Sequence, residues 1–413
     1  MKKTLLTICL VWMCFSLSAQ KIIDLSGKWS FSIDRQDNGE KEKWFSHTLN
    51  DFINLPGSMP EKLKGDEVTA KTQWTGSLYD SSYYYNPYME KYRKEGNIKF
   101  PFFLTPDKHY VGAAWYQKEV NIPADWKGER ILLFLERPHI ETTVWVNGQK
   151  TGMQNSLCVP HQYDITRYVR PGKCTITIRV DNRIKEINVG PDSHSITDQT
   201  QGNWNGIVGR ICLQTTPKTY FDDIQIYPEP EQKLARVKVV IKGTGTAKVK
   251  LSAESFNTDK KHIVPAIQQE IKLNKGVTET EMVLPMGNDM LLWDEFHPAL
   301  YKLKAEVTNG KKTEIKEIQF GMRRFEIKGK WFYVNGRKTQ LRGTVENCDF
   351  PLTGYAPMDV ESWERVFRIC RSYGLNHMRF HSFCPPEAAF MAADRVGFYL
   401  QPEGPSWPNH GPN

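Results

Sequence analysis

The 413 residues are 39% hydrophobic and 25% charged, which excludes a disordered chain, and the length calls for two or three domains rather than one core. The formal charge of +8 falls to +6 without Lys2 and Lys3. What remains is scattered in small patches such as Lys41 with Lys43 and Lys311 with Lys312, so the basic stripe of a nucleic-acid binder is missing.

The first segment is an address. Lys2 and Lys3 precede an apolar run from Leu5 to Leu17, and Ser16-Leu17-Ser18-Ala19 supplies the small residues of a cleavage site. Residues 1–19 therefore read as a signal peptide, with Gln20 as the mature N-terminus and a periplasmic or secreted destination. The run is too short to span a bilayer. A lipid attachment at Cys14 is disfavoured by the bulky Val11-Trp12-Met13 before it and Phe15 after it. Cys158, Cys174, Cys212, Cys348, Cys370 and Cys384 remain, none at C-x-x-C spacing, so a cysteine metal site is not expected. Scattered buried thiols are the plain reading.

From Leu25 to about Thr216 short runs alternate in polarity between turn residues, the pattern of an all-β sandwich over 20–217. Trp29, Phe31 and Ile33 alternate with Lys28, Ser30 and Ser32. Ile131–Leu135, Thr143–Val146 and Thr175–Val180 behave alike, and Asn147-Gly148 marks a hairpin. A Tyr-, Lys- and Pro-rich stretch over about 57–106, containing Tyr83-Tyr84-Tyr85-Asn86-Pro87-Tyr88, reads as a loop insertion. Aromatic rings of this kind suit sugars, whose C–H faces stack on them. Trp29, Trp115, Trp126 and Trp145 sit in or beside strand patterns and read as core. For Tyr83 to Tyr88 and Trp204, packing and sugar stacking both stay open.

A second β-rich region, 218–325, predicts strands at Val237–Ile241, Ala247–Leu251, Glu279–Leu284, Tyr301–Val307 and Thr313–Phe320. That inventory suits an immunoglobulin-like sandwich with no chemistry of its own. From 326 to 413 the period changes. Gln340-Leu341-Arg342 predicts a strand, Asp359 to Gly374 bound a helix, Leu375–Phe380 is the next strand, Pro385-Pro386 open a second helix ended by Gly397, and Phe398-Tyr399-Leu400 start a third strand. A β-α-β-α-β order implies parallel strands, whose C-terminal ends carry chemistry. Those ends hold Glu346, Asn347 and Asp349, then Arg379 and His381, then Gln401 and Glu403.

Several strings occur in one order: Leu25-Ser26-Gly27-Lys28-Trp29-Ser30-Phe31, Leu55-Pro56-Gly57, Trp115-Tyr116, Trp145-Val146-Asn147-Gly148, Tyr163-Asp164-Ile165 and Gly206-Ile207-Val208-Gly209-Arg210. Leu292-Trp293, Pro298-Ala299-Leu300-Tyr301, Phe320-Gly321-Met322-Arg323, Val334-Asn335-Gly336 and Leu341-Arg342-Gly343 follow. The collinear set resembles glycoside hydrolase family 2, the group of β-galactosidases, β-glucuronidases and β-mannosidases, over nearly the whole mature chain. The resemblance implies a multi-domain, mainly β protein: a jelly-roll sugar-binding sandwich, an immunoglobulin-like sandwich, then the first β/α units of a (β/α)8 TIM barrel, truncated after the third strand.

It also implies a retaining exo-β-glycosidase, β-galactosidase-like, with two glutamates flanking the scissile bond. The acid/base follows an asparagine on the fourth barrel strand and the nucleophile ends the seventh, so neither is expected within these residues, and Glu346-Asn347 has the pair reversed. Arg379 and His381 match the family's arginine and histidine at the second strand end, with one intervening residue, Phe380, where the family commonly has two. Glu403 matches an acidic position of the third. Asp198, Asn203 and Trp204 are candidates for a side chain sent from the sandwich into the active site. The expected partner is an oligosaccharide or glycan, with no nucleic acid, membrane span, cofactor or metal. A catalytically dead carbohydrate-binding protein is the competing reading; a surface turn around Asp198 and a filled barrel interior around Arg379 and His381 are the structural alternatives.

Overall fold

In a computed structural model, the structure describes residues 21–69, 71–75, 85–97, 106–185, 193, 195–198 and 201–404. The expected signal peptide and Tyr83-Tyr84 lie outside the described residues.

The sandwich has two antiparallel sheets. One runs Ile22–Asp24, Gly206–Thr216, Arg130–His139, His161–Asp164, with Gly57–Ser58 also on the Gly206–Thr216 strand. The other runs Gln149–Asn155, Glu141–Val146, Gly172–Asp181, Ala113–Ile122, Gly27–Asp34, Asp51–Leu55. Alternation does the work expected of it: Trp29 and Phe31 are fully buried between the sheets with Tyr116, Leu133, Ile178 and Leu213. Asn147 and Gly148 take positive φ (50° and 77°) and reverse the chain between Glu141–Val146 and Gln149–Asn155. Trp115 and Trp145 are buried as predicted, but in a second small cluster with Leu49, where their rings lie 5.0 Å apart.

The next sheet runs Tyr220–Glu229, Leu234–Phe256, Leu300–Asn309, Lys312–Phe320, with Ile263–Pro285 also paired to Leu234–Phe256. The two strands predicted at Val237–Ile241 and Ala247–Leu251 are one. The chain between them does not turn back; it shifts register around Gly243 and Gly245 and stays paired to Ile263–Pro285, so the glycines act as a bulge rather than a hairpin.

A small antiparallel sheet of Phe325–Lys328, Trp331–Val334 and Arg337–Thr339 leads into the β/α part. There Gly343–Glu346 pairs in parallel with His377–Phe380, which pairs in parallel with Tyr399–Gln401. The helices are Val360–Ser372 and Glu387–Val396. Asp359 caps the first by accepting from Ser362 N, and Gly397 ends the second with φ 77°. Gln340-Leu341-Arg342, predicted as a strand, precedes the ladder instead. The Asn376 side chain takes the place of strand neighbours there, accepting from Arg342 N at 2.7 Å and donating to Gln340 O at 3.1 Å. Trp363, Phe367, Phe380 and Phe398 form the core under this unit.

Polar ties join the parts. Trp293 Nε1 of the second region donates to Asp394 O at 2.7 Å, and Gln319 Nε2 to Asp394 Oδ2 at 3.0 Å. From the sandwich, Ser58 Oγ donates to Thr353 O, and Glu61 Oε2 accepts from Tyr355 Oη at 3.0 Å. These contacts set the sandwich against the C-terminal ends of the parallel strands.

Candidate functional site

Arg379 is the penultimate residue of the central parallel strand, where it pairs with Val345 and Gln401 near the ends of both neighbours. Its Nε and Nη2 bond the two carboxylate oxygens of Glu403, the second at 3.0 Å, the side-on geometry in which a guanidinium binds a carboxylate best. Glu403 Oε2 also accepts from Ser382 N at 2.9 Å. The Arg379 bonds, then the Ser382 N–H, hold the Glu403 carboxyl below its usual range. His381 Nδ1 lies 3.3 Å from Arg379 Nη2 and 3.1 Å from Ser382 Oγ. The His381 backbone is tied on both sides: its N–H donates to Glu346 O at 2.9 Å and its carbonyl accepts from Gln201 Nε2 of the sandwich at 2.6 Å.

At the neighbouring strand end, the Glu346 carboxylate accepts from Cys348 N at 2.9 Å. Burial nevertheless pushes its carboxyl above the usual range. Burial, together with the Glu346 charge, pushes Asp349 up to about 6. Asn347 is exposed beside them. The structure thus gathers Glu346, Asn347, Arg379, His381 and Glu403 at one end of three parallel strands, a face with carboxylates in excess over the single guanidinium.

The described contacts of Asp198, Asn203 and Trp204 are with other residues. Asp198 is buried, and its carboxylate accepts from Thr75 N at 2.6 Å and Asn203 N at 3.1 Å, with His109 Nε2 at 3.3 Å. The Asn203 side chain donates to Thr75 Oγ1 and Asn182 O, both at 3.0 Å. Trp204 stacks on His139 at 4.5 Å and tilts against Tyr355 at 5.6 Å, so its ring packs on the seam between sandwich and β/α part. Burial pushes His139 down to about 3, which keeps that ring neutral. Tyr85 and Tyr88 of the insertion are exposed.

Sequence reasoning missed two residues that set the site. Gln201 holds the His381 carbonyl, and Arg137, on a sandwich strand, donates to Cys384 O at 3.1 Å and Pro385 O at 3.3 Å. Both act across a domain seam, on backbone groups hundreds of residues or nearly so away in the chain, and no local spacing marks such a contact. Among the described residues no group of three or more His, Cys, Asp or Glu is placed to hold a metal ion, and no helix is long and apolar enough to cross a membrane.

Comparison with known proteins agrees with the fold. Residues 22–217 match the profile of the glycosyl hydrolases family 2 sugar binding domain, and 219–323 that of glycosyl hydrolases family 2. A β-galactosidase of Thermoanaerobacter pseudethanolicus is 24% identical over 76% of this chain and 42% of its own length. A β-glucuronidase of Paenibacillus borealis is 23% identical over 94% of this chain and 59% of its own. Among solved structures, a Ruminococcus gnavus β-glucuronidase in complex with C6-substituted uronic isofagomine superposes with TM-score 0.66 at 20% identity, covering 94% of this chain and 59% of that one. A family 2 member from Bacteroides cellulosilyticus gives 0.65 at 19%, covering 93% and 47%. The chain therefore spans about half the length of such relatives, and by its two matched domains it belongs to glycoside hydrolase family 2.

Proposed function

We propose that this chain is the N-terminal part of a secreted exo-β-glycosidase of the retaining type, and that its parallel strand ends hold the sugar at the non-reducing end of the substrate. The observation that carries the reading is the Arg379–Glu403 pair with His381 beside it, fixed at strand C-termini by bonds from Ser382, Glu346 and Gln201. Fixed donors and acceptors of this kind orient hydroxyl groups without reorganising when the sugar arrives. The glycosidase names of the relatives support the same class of substrate.

The charge at the strand ends favours a neutral glycone. Arg379 is already matched by Glu403, while Glu346 and Asp349 add carboxyl groups with no cation paired to them among the described residues. A sugar carboxylate placed here would meet like charge; hydroxyls would meet acceptors. This supports a β-galactoside-like substrate over a β-glucuronide. The retaining pair of glutamates is not assigned to any position of the chain, so the 413-residue protein is proposed to bind and not to hydrolyse.

The test is an assay of the purified chain against nitrophenyl β-galactoside and β-glucuronide, followed by equilibrium binding of each. The expected result is no release of nitrophenol and tighter binding of the galactoside. Turnover would overturn the assignment of the catalytic carboxylates, and preference for the glucuronide would overturn the charge argument.

A further inference from the structure

Three of the six free cysteines among the described residues converge. Cys158 lies just after the sandwich strand Gln149–Asn155, Cys348 follows the parallel strand Gly343–Glu346, and Cys384 sits in the turn before the helix Glu387–Val396. All three line one cavity of about 60 Å³ on the seam between the sandwich and the β/α part, with Arg137 and His139 in the same wall.

One guanidinium holds two of these cysteines by their backbones. Arg137 Nη1 donates to Cys384 O at 3.1 Å and Nη2 to Cys158 O at 3.4 Å. The two nitrogens belong to one planar group, so the carbonyls of Cys158 and Cys384 share one donor on the wall of the cavity that both cysteines line. Cys348 is held differently. Its N–H donates to the Glu346 carboxylate, which anchors it to the strand end rather than to the sandwich. Burial, with Cys158 adding to it, raises the Cys384 thiol above its ordinary value while Arg137 opposes the rise.

We propose that Cys158 and Cys384 form a disulfide that joins the sugar-binding sandwich covalently to the β/α part. The reaction removes one proton from each Sγ and two electrons from the pair. The oxidant is a disulfide, either of a small thiol or of a thiol–disulfide oxidoreductase, and it leaves as two thiols by way of a mixed disulfide. A secreted destination supplies such oxidants. The bond would fix the turn following His381, on the same seam where Gln201 holds the His381 carbonyl.

The proposal rests on the secreted destination proposed above but not on the glycosidase activity, and its test involves no sugar. The full chain is equilibrated with oxidised glutathione, its free thiols are alkylated in denaturant, and it is digested without reduction. Mass analysis is expected to find the Cys158 peptide joined to the Cys384 peptide, with Cys348 alkylated. The linkage should vanish in Cys158→Ser and in Cys384→Ser and persist in Cys348→Ser, a variant that also guards against misreading a folding defect. Alkylation of both Cys158 and Cys384, or a linkage that contains Cys348, would overturn it.

Discussion

The sandwich and the β/α part solve the problem of burial differently. In the sandwich, two sheets cover each other, and charges that must lie inside are matched: Asp181 is fully buried, yet Arg179, Arg183 and Lys185 all reach it. In the β/α part, the three parallel strands have no second sheet. Their outer members, Gly343–Glu346 and Tyr399–Gln401, each keep an unpaired edge among the described residues. Val345, Ile369, Tyr373 and Phe390 are exposed there. The difference separates two kinds of core: the sandwich closes on itself, and the β/α part rests on a few aromatic rings, steadied by the sandwich through Arg137 and Gln201 and by the Tyr355–Glu61 bond.

The contrast breaks most sharply at that small core. Phe367 is fully buried and stacks on Phe398 at 4.8 Å and on Trp363 at 5.7 Å. Phe367→Ala is expected to cost about 3–5 kcal/mol and to open the β/α part alone. Hydrogen exchange would show protection lost across His377–Phe380 and kept across Gly172–Asp181; equal loss in both would mean that the two regions unfold as one.

The mirror experiment is Asp181→Asn, which removes one of the three carboxylates around the buried Arg179 and leaves Asp37 and Glu141. Losing charge-assisted hydrogen bonds from a network that keeps its other carboxylates costs about 2 kcal/mol, and the loss should appear first in sandwich amides. Although burial alone would raise it, hydrogen bonds from Arg183 and Lys185 hold the Asp181 carboxyl well below the carboxylate range. Its contribution is therefore present at neutral pH and lost only as pH falls through strongly acidic values.

Asp349 points the other way. Its carboxyl, raised to about 6 from 3.8, contributes stability that is fully present below 3.8 and lost as pH rises through about 6. Because the side chain is partly exposed, the effect is on the order of 1 kcal/mol. Asp349→Asn should remove that slope from a thermal-melt series across pH 4 to 7, a range set by these values; an unchanged slope would assign it elsewhere. The smallest effect belongs to the helix cap. Asp359→Ala, which removes the bond to Ser362 N, is expected to cost about 1 kcal/mol, measured as a lower denaturation midpoint of the β/α part only.

What could be read from the sequence followed the range of the forces involved. Alternation at Trp29–Ile33 and the Asn147-Gly148 turn are local, and both appear as expected. So do the helix bounds at Asp359 and Gly397. The Gly243–Gly245 bulge was not legible, because a glycine pair marks a hairpin and a register shift alike. The site was legible as strand ends, which is where Arg379, His381 and Glu403 meet. Its supports were not, since Arg137 and Gln201 act on the backbone of another domain, and the convergence of Cys158, Cys348 and Cys384 is set by the same seam.

The central claim is that Arg379, His381 and Glu403 form the sugar-holding site. The most direct measurement is equilibrium binding of a β-galactoside to the chain and to its Arg379→Ala variant. Loss of that side chain frees the Glu403 carboxylate and removes fixed donors, so affinity is expected to fall about tenfold or more while sandwich amide protection stays unchanged. Equal affinity in the two proteins, with both folded, would contradict the account.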